Sequence, residues 1–301
     1  MMFLRTRILS CAYRWFPFPL EGDACLDSAT GAPVLSCVIN FYGRIDLLQG
    51  ILYSLLEQDL SRDRFEVVLA EDGGGSREGR DVAERFSSAL NVHYSALPDH
   101  YGMIGYAKNF GLSRTVGKYV LFLDDDTVIL QKDFLSRLLA AFEETNADGI
   151  IPHGNASWYL RKGRYGYHEP YFPTNRCVAY RRDVLLQLRG FVSDMIGQED
   201  VEFVIRFMAA GRSYHRAADL EYYHPPLIIP NFRKPMAVGI SFYKLKERYS
   251  APVWWLMVMN SARHIPLFAL PTRKHRNMSR FGIGFMLGIF AGLLNRRVAY
   301  R

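Results

Sequence analysis

Lys118-Tyr119-Val120-Leu121-Phe122-Leu123-Asp124-Asp125-Asp126 joins an unbroken apolar run to three adjacent carboxylates. An apolar run of this length, without alternation, reads as a strand buried on both faces, as in a parallel sheet. The acids then mark its carboxyl end. Adjacent carboxylates repel one another, and a hard divalent cation relieves that repulsion. Mg²⁺ and Mn²⁺ take one or two such groups and complete their shell with substrate phosphate oxygens. The competing use of the acids is to cap the amphipathic helix expected at Phe134 to Phe142, but Asp133 is better placed for that.

The same pattern repeats upstream. Val34-Leu35-Ser36-Cys37-Val38-Ile39-Asn40-Phe41 is a second buried run, and Asp46 to Gln58 follows with Leu47, Leu48, Ile51, Leu55 and Leu56 at helical spacing. Phe65 to Ala70 is another strand, ending at Glu71-Asp72 and three glycines. No Gly-Lys-Ser/Thr follows them, so they form a turn rather than a phosphate loop. Arg77 to Leu90 and Tyr106 to Arg114 read as helices, with a short strand at Val92-His93-Tyr94 between them. Strands alternating with helices imply right-handed crossovers and a parallel sheet, whose ligands sit at the carboxyl ends of the strands. Three polar clusters fall there: Asn40 to Arg44, Glu71-Asp72, and Asp124 to Thr127. Downstream, dense tyrosine, glycine and proline predict a shaped loop region over residues 152–176. Helices are expected at Asp183 to Arg189 and Asp200 to Ala210, and a strand end at Glu221 to His224, before Pro225-Pro226.

Composition bounds the partners. The 301 residues carry a formal charge of +7, with Lys and Arg concentrated in residues 233–301. This points to an anionic partner such as lipid headgroups or a diphosphate; no nucleic-acid signature accompanies the charge. Four scattered cysteines without a CxxC pair suit a reducing cytoplasm. Met1 to Phe18 lacks a clean apolar core and a small-residue cleavage site, so it does not read as a signal peptide.

The order Val38-Ile39-Asn40-Phe41-Tyr42-Gly43-Arg44, Glu66 to Gly73, Lys108-Asn109-Phe110-Gly111, Leu123 to Asp126 and Gly197-Gln198-Glu199-Asp200-Val201-Glu202-Phe203 resembles the family-2 glycosyltransferases. Each motif alone is weak, but five in order are specific. The resemblance implies an α/β fold of the GT-A (nucleotide-diphospho-sugar transferase) type, with a mostly parallel central sheet. It also implies roles, position by position. Phe41 and Tyr42 would flank the base, with Arg44 beside them, and Asp72 would accept a hydrogen bond from a base imide. Lys108 would approach the diphosphate. Asp124 would lie near the ribose with Asp125 next to it, and Asp126 would bind Mn²⁺ or Mg²⁺. Asp200 would be the catalytic base, Glu199 would face the acceptor, and His224 would complete the metal or diphosphate site. Asn40 and Phe41 depart from the family's usual first-strand ending, so base contacts there are altered.

The residues by themselves agree with that chemistry. Attack on an anomeric carbon needs a base for the acceptor hydroxyl and a cation for the departing diphosphate. One base without a second, nucleophilic carboxylate suits inversion. The expected reaction moves a sugar from a nucleoside diphosphate sugar, UDP-sugar favoured, to a hydroxyl of a glycan or lipid-linked saccharide. Transfer to polyprenyl phosphate is the alternative, but an anionic acceptor needs no base. An inactive carbohydrate-binding or scaffold protein is a further one, which the intact acids oppose. Arg161, Lys162, Arg164 and His168 among Tyr159, Tyr165 and Tyr167 suit either an acceptor groove or a solvated loop.

The chain thus divides into an extension and linker (1–33), a catalytic domain (34–230, with a nucleotide-binding half 34–127 and an acceptor half 128–230) and a helical tail (231–301). In the tail, Phe281 to Leu294 is apolar and flanked by basic residues, too short to span a bilayer. Together with Trp254 and Trp255 it suits a helix lying on the inner face of a membrane, which would make the protein cytoplasmic and peripherally attached. Gly284, Gly288 and Gly292 at four-residue spacing permit close helix approach, either within the chain or in a homodimer.

Overall fold

The apolar runs form the centre of one eight-stranded sheet. The computed structural model describes residues 2–27, 31–98, 102–157, 164–165, 176–225, 228–270 and 272–294. Strands β1 (Leu35–Phe41), β2 (Phe65–Glu71), β3 (Val92–Ala96) and β4 (Tyr119–Asp124) are joined by α2 (Ile45–Leu56), α3 (Arg77–Ser87) and α4 (Ile104–Leu112). They lie parallel in the order β3-β2-β1-β4. The register sets Asn40 opposite Asp124 and Phe41 opposite Glu71, so the three polar clusters share one edge.

Strand alternation sends successive side chains to opposite faces, and both faces are covered. Cys37, Ile39, Val67, Leu69, Leu121 and Leu123 pack with α2, α3 and α5 (Phe134–Thr145). Val38, Val68, Val120 and Phe122 pack on the other side, with α7 (Glu199–Ala209) and the C-terminal helices. This double burial is why these strands read as continuous apolar runs.

Beyond α5 the sheet changes sense. β7 (Cys177–Arg181), followed directly by α6 (Arg182–Gln187), runs antiparallel to β4, and β5 (Gly149–Ser157) runs antiparallel to β7. β8 (Tyr214–His224) lies parallel to β5, and the two-residue β6 (Arg164–Tyr165) closes the edge. The expectation of a loop region from residue 152 therefore needs correction: residues 152–157 belong to β5, because residues 152–156 pair with β8, and Ser157 with β6, in spite of Pro152 and Gly154. The groove residues Tyr159, Arg161, Lys162, Tyr167 and His168 lie outside the described residues. Asp133 does occupy the N-cap position of α5, but its side chain makes no cap hydrogen bond and faces Arg137 instead.

Two features frame the domain. The N-terminal stretch is helical, α1 (Met2–Trp15), and packs on α7, with Ser10 Oγ donating to the Met208 carbonyl at 3.1 Å. At the other end stand α8 (Arg233–Lys244), α9 (Ala251–Ala262), a 3-10 segment Ile265–Ala269 and α10 (Arg273–Leu293). The glycine-spaced face of α10 is used within the chain: a side chain at Gly288 would meet the Met236 carbonyl at 2.1 Å, one at Gly284 would meet Pro235, and one at Gly292 would meet Tyr243. The α8 face fills it, so it is not available as a subunit contact. No helix among the described residues is long and apolar enough to cross a membrane.

Candidate active site at the carboxyl edge of the sheet

Asp124 ends β4, and the chain turns at once, with the Thr127 amide donating to the Asp124 carbonyl at 3.0 Å. The turn is then pinned by an isolated bridge in which the amides and carbonyls of Val128 and Tyr223 exchange two hydrogen bonds of 2.8 Å. That bridge delivers the next residue of β8, His224, to the acids. Its Nε2 lies 2.9 Å from Asp126 Oδ1 and 3.3 Å from Asp124 Oδ2, while Nδ1 sits 2.6 Å from the Pro225 carbonyl. A ring whose Nδ1–H is committed to a carbonyl presents Nε2 as the ligand atom. One ligand atom from each of Asp124, Asp126 and His224 lies within 4.8 Å of the others, a donor set fit for a divalent cation.

Charge is concentrated here. Burial, the largest single influence, raises the carboxyl pKa values of Asp124 and Asp126, but the hydrogen bonds and charge of His224 together with nearby cations, Lys108 and Arg176 for Asp124 and Arg44 for Asp126, hold both below the usual range. Burial likewise opposes the charge on His224, yet the two carboxylates push its pKa up to about 9. Asp125 is buried and is pushed up to about 7 by burial, although Arg44 opposes the shift. Arg44 reaches these acids because Gly43 and Arg44 are both left-handed, with φ of 58° and 46°, as the chain enters α2. Its guanidinium grips both oxygens of Asp125, and Nη1 donates to Asp126 Oδ2 at 2.7 Å. Arg44 therefore joins the acid cluster directly.

The second half of the site is the first turn of α7. Gln198 precedes it at φ 61° and accepts from Ser261 Oγ at 2.6 Å. Glu199 and Asp200 are the first two helical residues, where carboxylates are favoured by the helix dipole. Asp200 is half-buried, and its Oδ1 accepts from the Val201 amide at 2.8 Å. Glu199 is buried and receives the Lys108 ammonium at 2.6 Å. Burial works against the charge on Lys108, but Glu199, Asp124 and Asp200 raise its pKa nonetheless. Lys108 is thus committed to Glu199 and joins α4 to α7.

Asn109, next to it, is a residue whose role the motif alone does not disclose. Its Nδ2 donates to the Phe191 carbonyl and its Oδ1 accepts from the Phe191 amide, both at 2.8 Å. This clamp fixes the segment leading into α7. Asp72 holds backbone in a similar way, accepting from Gly73 N at 2.8 Å and Gly102 N at 3.0 Å. Of the expected base-flanking pair, Phe41 is buried in the core and Tyr42 alone is exposed, its ring lying against Gly73.

Comparison with known proteins agrees with this architecture. Residues 36–183 match the model described as Glycosyl transferase family 2; α7 and His224 lie beyond the match. The poly(ribitol-phosphate) beta-N-acetylglucosaminyltransferase TarS of Staphylococcus aureus is 28% identical over 116 residues, which cover 38% of this chain and 20% of TarS. The match therefore spans about a fifth of that relative's length. Glycosyltransferase AglE of Haloferax volcanii is 25% identical over 209 residues, covering 64% of this chain and 67% of AglE. Among solved structures, mannosyltransferase PcManGT from Pyrobaculum calidifontis, in complex with GDP-Man and Mn²⁺, superposes with a TM-score of 0.62 at 15% identity over 97% of both chains. A TarS fragment in complex with UDP-GlcNAc gives 0.53 at 16% identity, covering 89% of this chain and 93% of the fragment. The sheet, its carboxyl-edge acids and these matches lead to one conclusion: the chain carries a family-2 glycosyltransferase domain on a GT-A fold.

Proposed function

We propose that the chain is an inverting, metal-dependent glycosyltransferase that moves a sugar from a nucleoside diphosphate sugar, a UDP-sugar before others, to a hydroxyl of a glycan or lipid-linked saccharide. The observation that carries the reading is the convergence of Asp124, Asp126 and His224 at the carboxyl edge of a parallel sheet. The solved relatives bound to UDP-GlcNAc and to GDP-Man with Mn²⁺ support a diphosphate-linked donor. In this reading residues 34–230 are the catalytic unit, with the donor on 34–127.

Two carboxylates and an imidazole suit Mn²⁺ better than Mg²⁺, which prefers oxygen ligands alone. When bound, the ion supplies positive charge against the diphosphate as it leaves. The chain's own residues do the rest. Asp200, at the mouth of α7, takes the proton from the acceptor hydroxyl as its oxygen attacks the anomeric carbon. Glu199, held by Lys108, shapes the first turn that carries Asp200. Arg44 holds Asp125 by both oxygens and also donates to one oxygen of Asp126, whose other oxygen, like Asp124, faces His224.

A panel of nucleoside diphosphate sugars incubated with Mn²⁺, scored for release of nucleoside diphosphate, tests the reading. Release from one donor class that stops on addition of EDTA is expected. Equal release with and without EDTA, or with Asp126→Ala in place of the wild type, would remove the metal from the mechanism.

A further inference from the structure

The charge of this molecule is divided along the chain. Residues 1–247 hold 28 Lys and Arg against 30 Asp and Glu, whereas residues 248–301 hold nine Lys and Arg and no acid. The whole positive excess therefore lies in the stretch that contains α9, the 3-10 segment and α10, in which α10 packs on α8 and contacts both of the other elements. Its inner side is accounted for: Trp254, Met257 and Val258 of α9 and Phe285 and Ile289 of α10 join the core.

Its outer side is not. On α9, Trp255, Leu256 and Met259 are 49%, 64% and 57% exposed, one helical face. Phe268 and Leu270 stand exposed after it. Along α10 and its C-cap, Arg276 and Arg280 are exposed four residues apart, and two turns on Leu287, Phe290 and Leu294 are exposed at spacings of three and four. Three adjoining elements thus turn large apolar side chains outward beside cations. In water such a surface costs free energy. At a bilayer interface the apolar groups enter the boundary between headgroups and acyl chains, and the cations meet anionic lipid.

We propose that this outer face of α9, the 3-10 segment and α10 docks flat on an anionic bilayer. One-signed charge distinguishes this occupant from a second copy of the chain, because identical basic faces repel. Exposed aromatic and aliphatic groups distinguish it from a polyanion lacking an apolar phase. The proposal stands independently of the donor site, none of whose residues lies in this segment.

Vesicle sedimentation of the full chain decides it. The wild type should pellet at low salt with equimolar phosphatidylcholine and phosphatidylglycerol, and remain soluble with phosphatidylcholine alone. The double variant Leu256→Glu, Met259→Glu should lose pelleting while keeping the wild-type melting curve, because both side chains are exposed. Arg276→Glu with Arg280→Glu should weaken pelleting and flatten its salt dependence. The proposal is overturned if the wild type stays in the supernatant with anionic vesicles, or if the apolar double variant still pellets fully. It is equally overturned if sedimentation velocity finds a dimer that this double variant dissolves while vesicles bind neither form.

Discussion

Replacing Lys108 by methionine would remove one partner of an ion pair sealed between α4 and α7. Lys108 is 5% exposed and Glu199 4%, with the ammonium 2.6 Å from the carboxylate. Methionine keeps most of the volume of the lysine stem, so little packing is lost. What remains is a buried carboxylate that has lost the ammonium donating to it. Breaking a buried pair on one side costs about 3–5 kcal/mol, whereas replacing both partners by apolar groups of similar volume is often neutral. The single variant Lys108→Met should therefore lose about 3–5 kcal/mol in urea unfolding, and Lys108→Met with Glu199→Leu should recover most of it. Turnover separates stability from function. If Glu199 acts only by holding the first turn of α7, the double variant regains activity along with stability. If it faces the acceptor, stability returns and activity does not. A single-variant loss below about 1 kcal/mol, the range of an exposed pair, would refute the argument that the pair is desolvated.

Other expectations follow from the same geometry. Asp126→Ala should abolish Mn²⁺ binding, read by calorimetry, since the site depends on few ligands; undiminished binding would place the metal elsewhere. Asp200→Asn should leave donor affinity near wild type while lowering turnover by roughly a hundredfold or more, and loss of donor binding instead would make Asp200 a structural residue. His224 is protonated below about 9 and must be neutral to ligate, so Mn²⁺ uptake releases a proton. Affinity should then rise by up to roughly tenfold per pH unit until that pKa is passed, and a flat profile would exclude His224 as a ligand. Gly288→Leu should destabilise the α8–α10 contact, because a side chain there meets the Met236 carbonyl at 2.1 Å; an unchanged melting temperature would show that the helices do not pack so closely.

Much of the central sheet was legible from residue order, because each strand buried on both faces must be apolar throughout and must end where polar groups can reach solvent. Lys118 to Leu123 followed that rule past its first residue, and Val34 to Phe41 and Phe65 to Ala70 followed it apart from Asn40 and the buried Ser36 and Glu66, which hydrogen-bond each other; their polar ends share one edge. β5 was not legible: Pro152 and Gly154 argue locally for a loop, and only pairing with β8 overrides them.

Helical and strand periods are local, and so are charge runs and glycine spacing; these the sequence determined unaided. Partnership is not local. Glu202 and Arg206, four residues apart, look like a solvated helix pair, yet both are fully buried. Arg206 also donates to the carbonyls of Leu20, Leu188 and Gly190, tying the N-terminal segment to α7. Gly288 announces a close approach but not that α8 makes it. Asp124 and Asp126 announce a cation site, whereas His224, about a hundred residues later, enters it through the Val128–Tyr223 bridge. Such pairs are set by which surfaces the fold brings together and seals from water, and in a one-dimensional pattern a desolvated ion pair and an exposed one look the same.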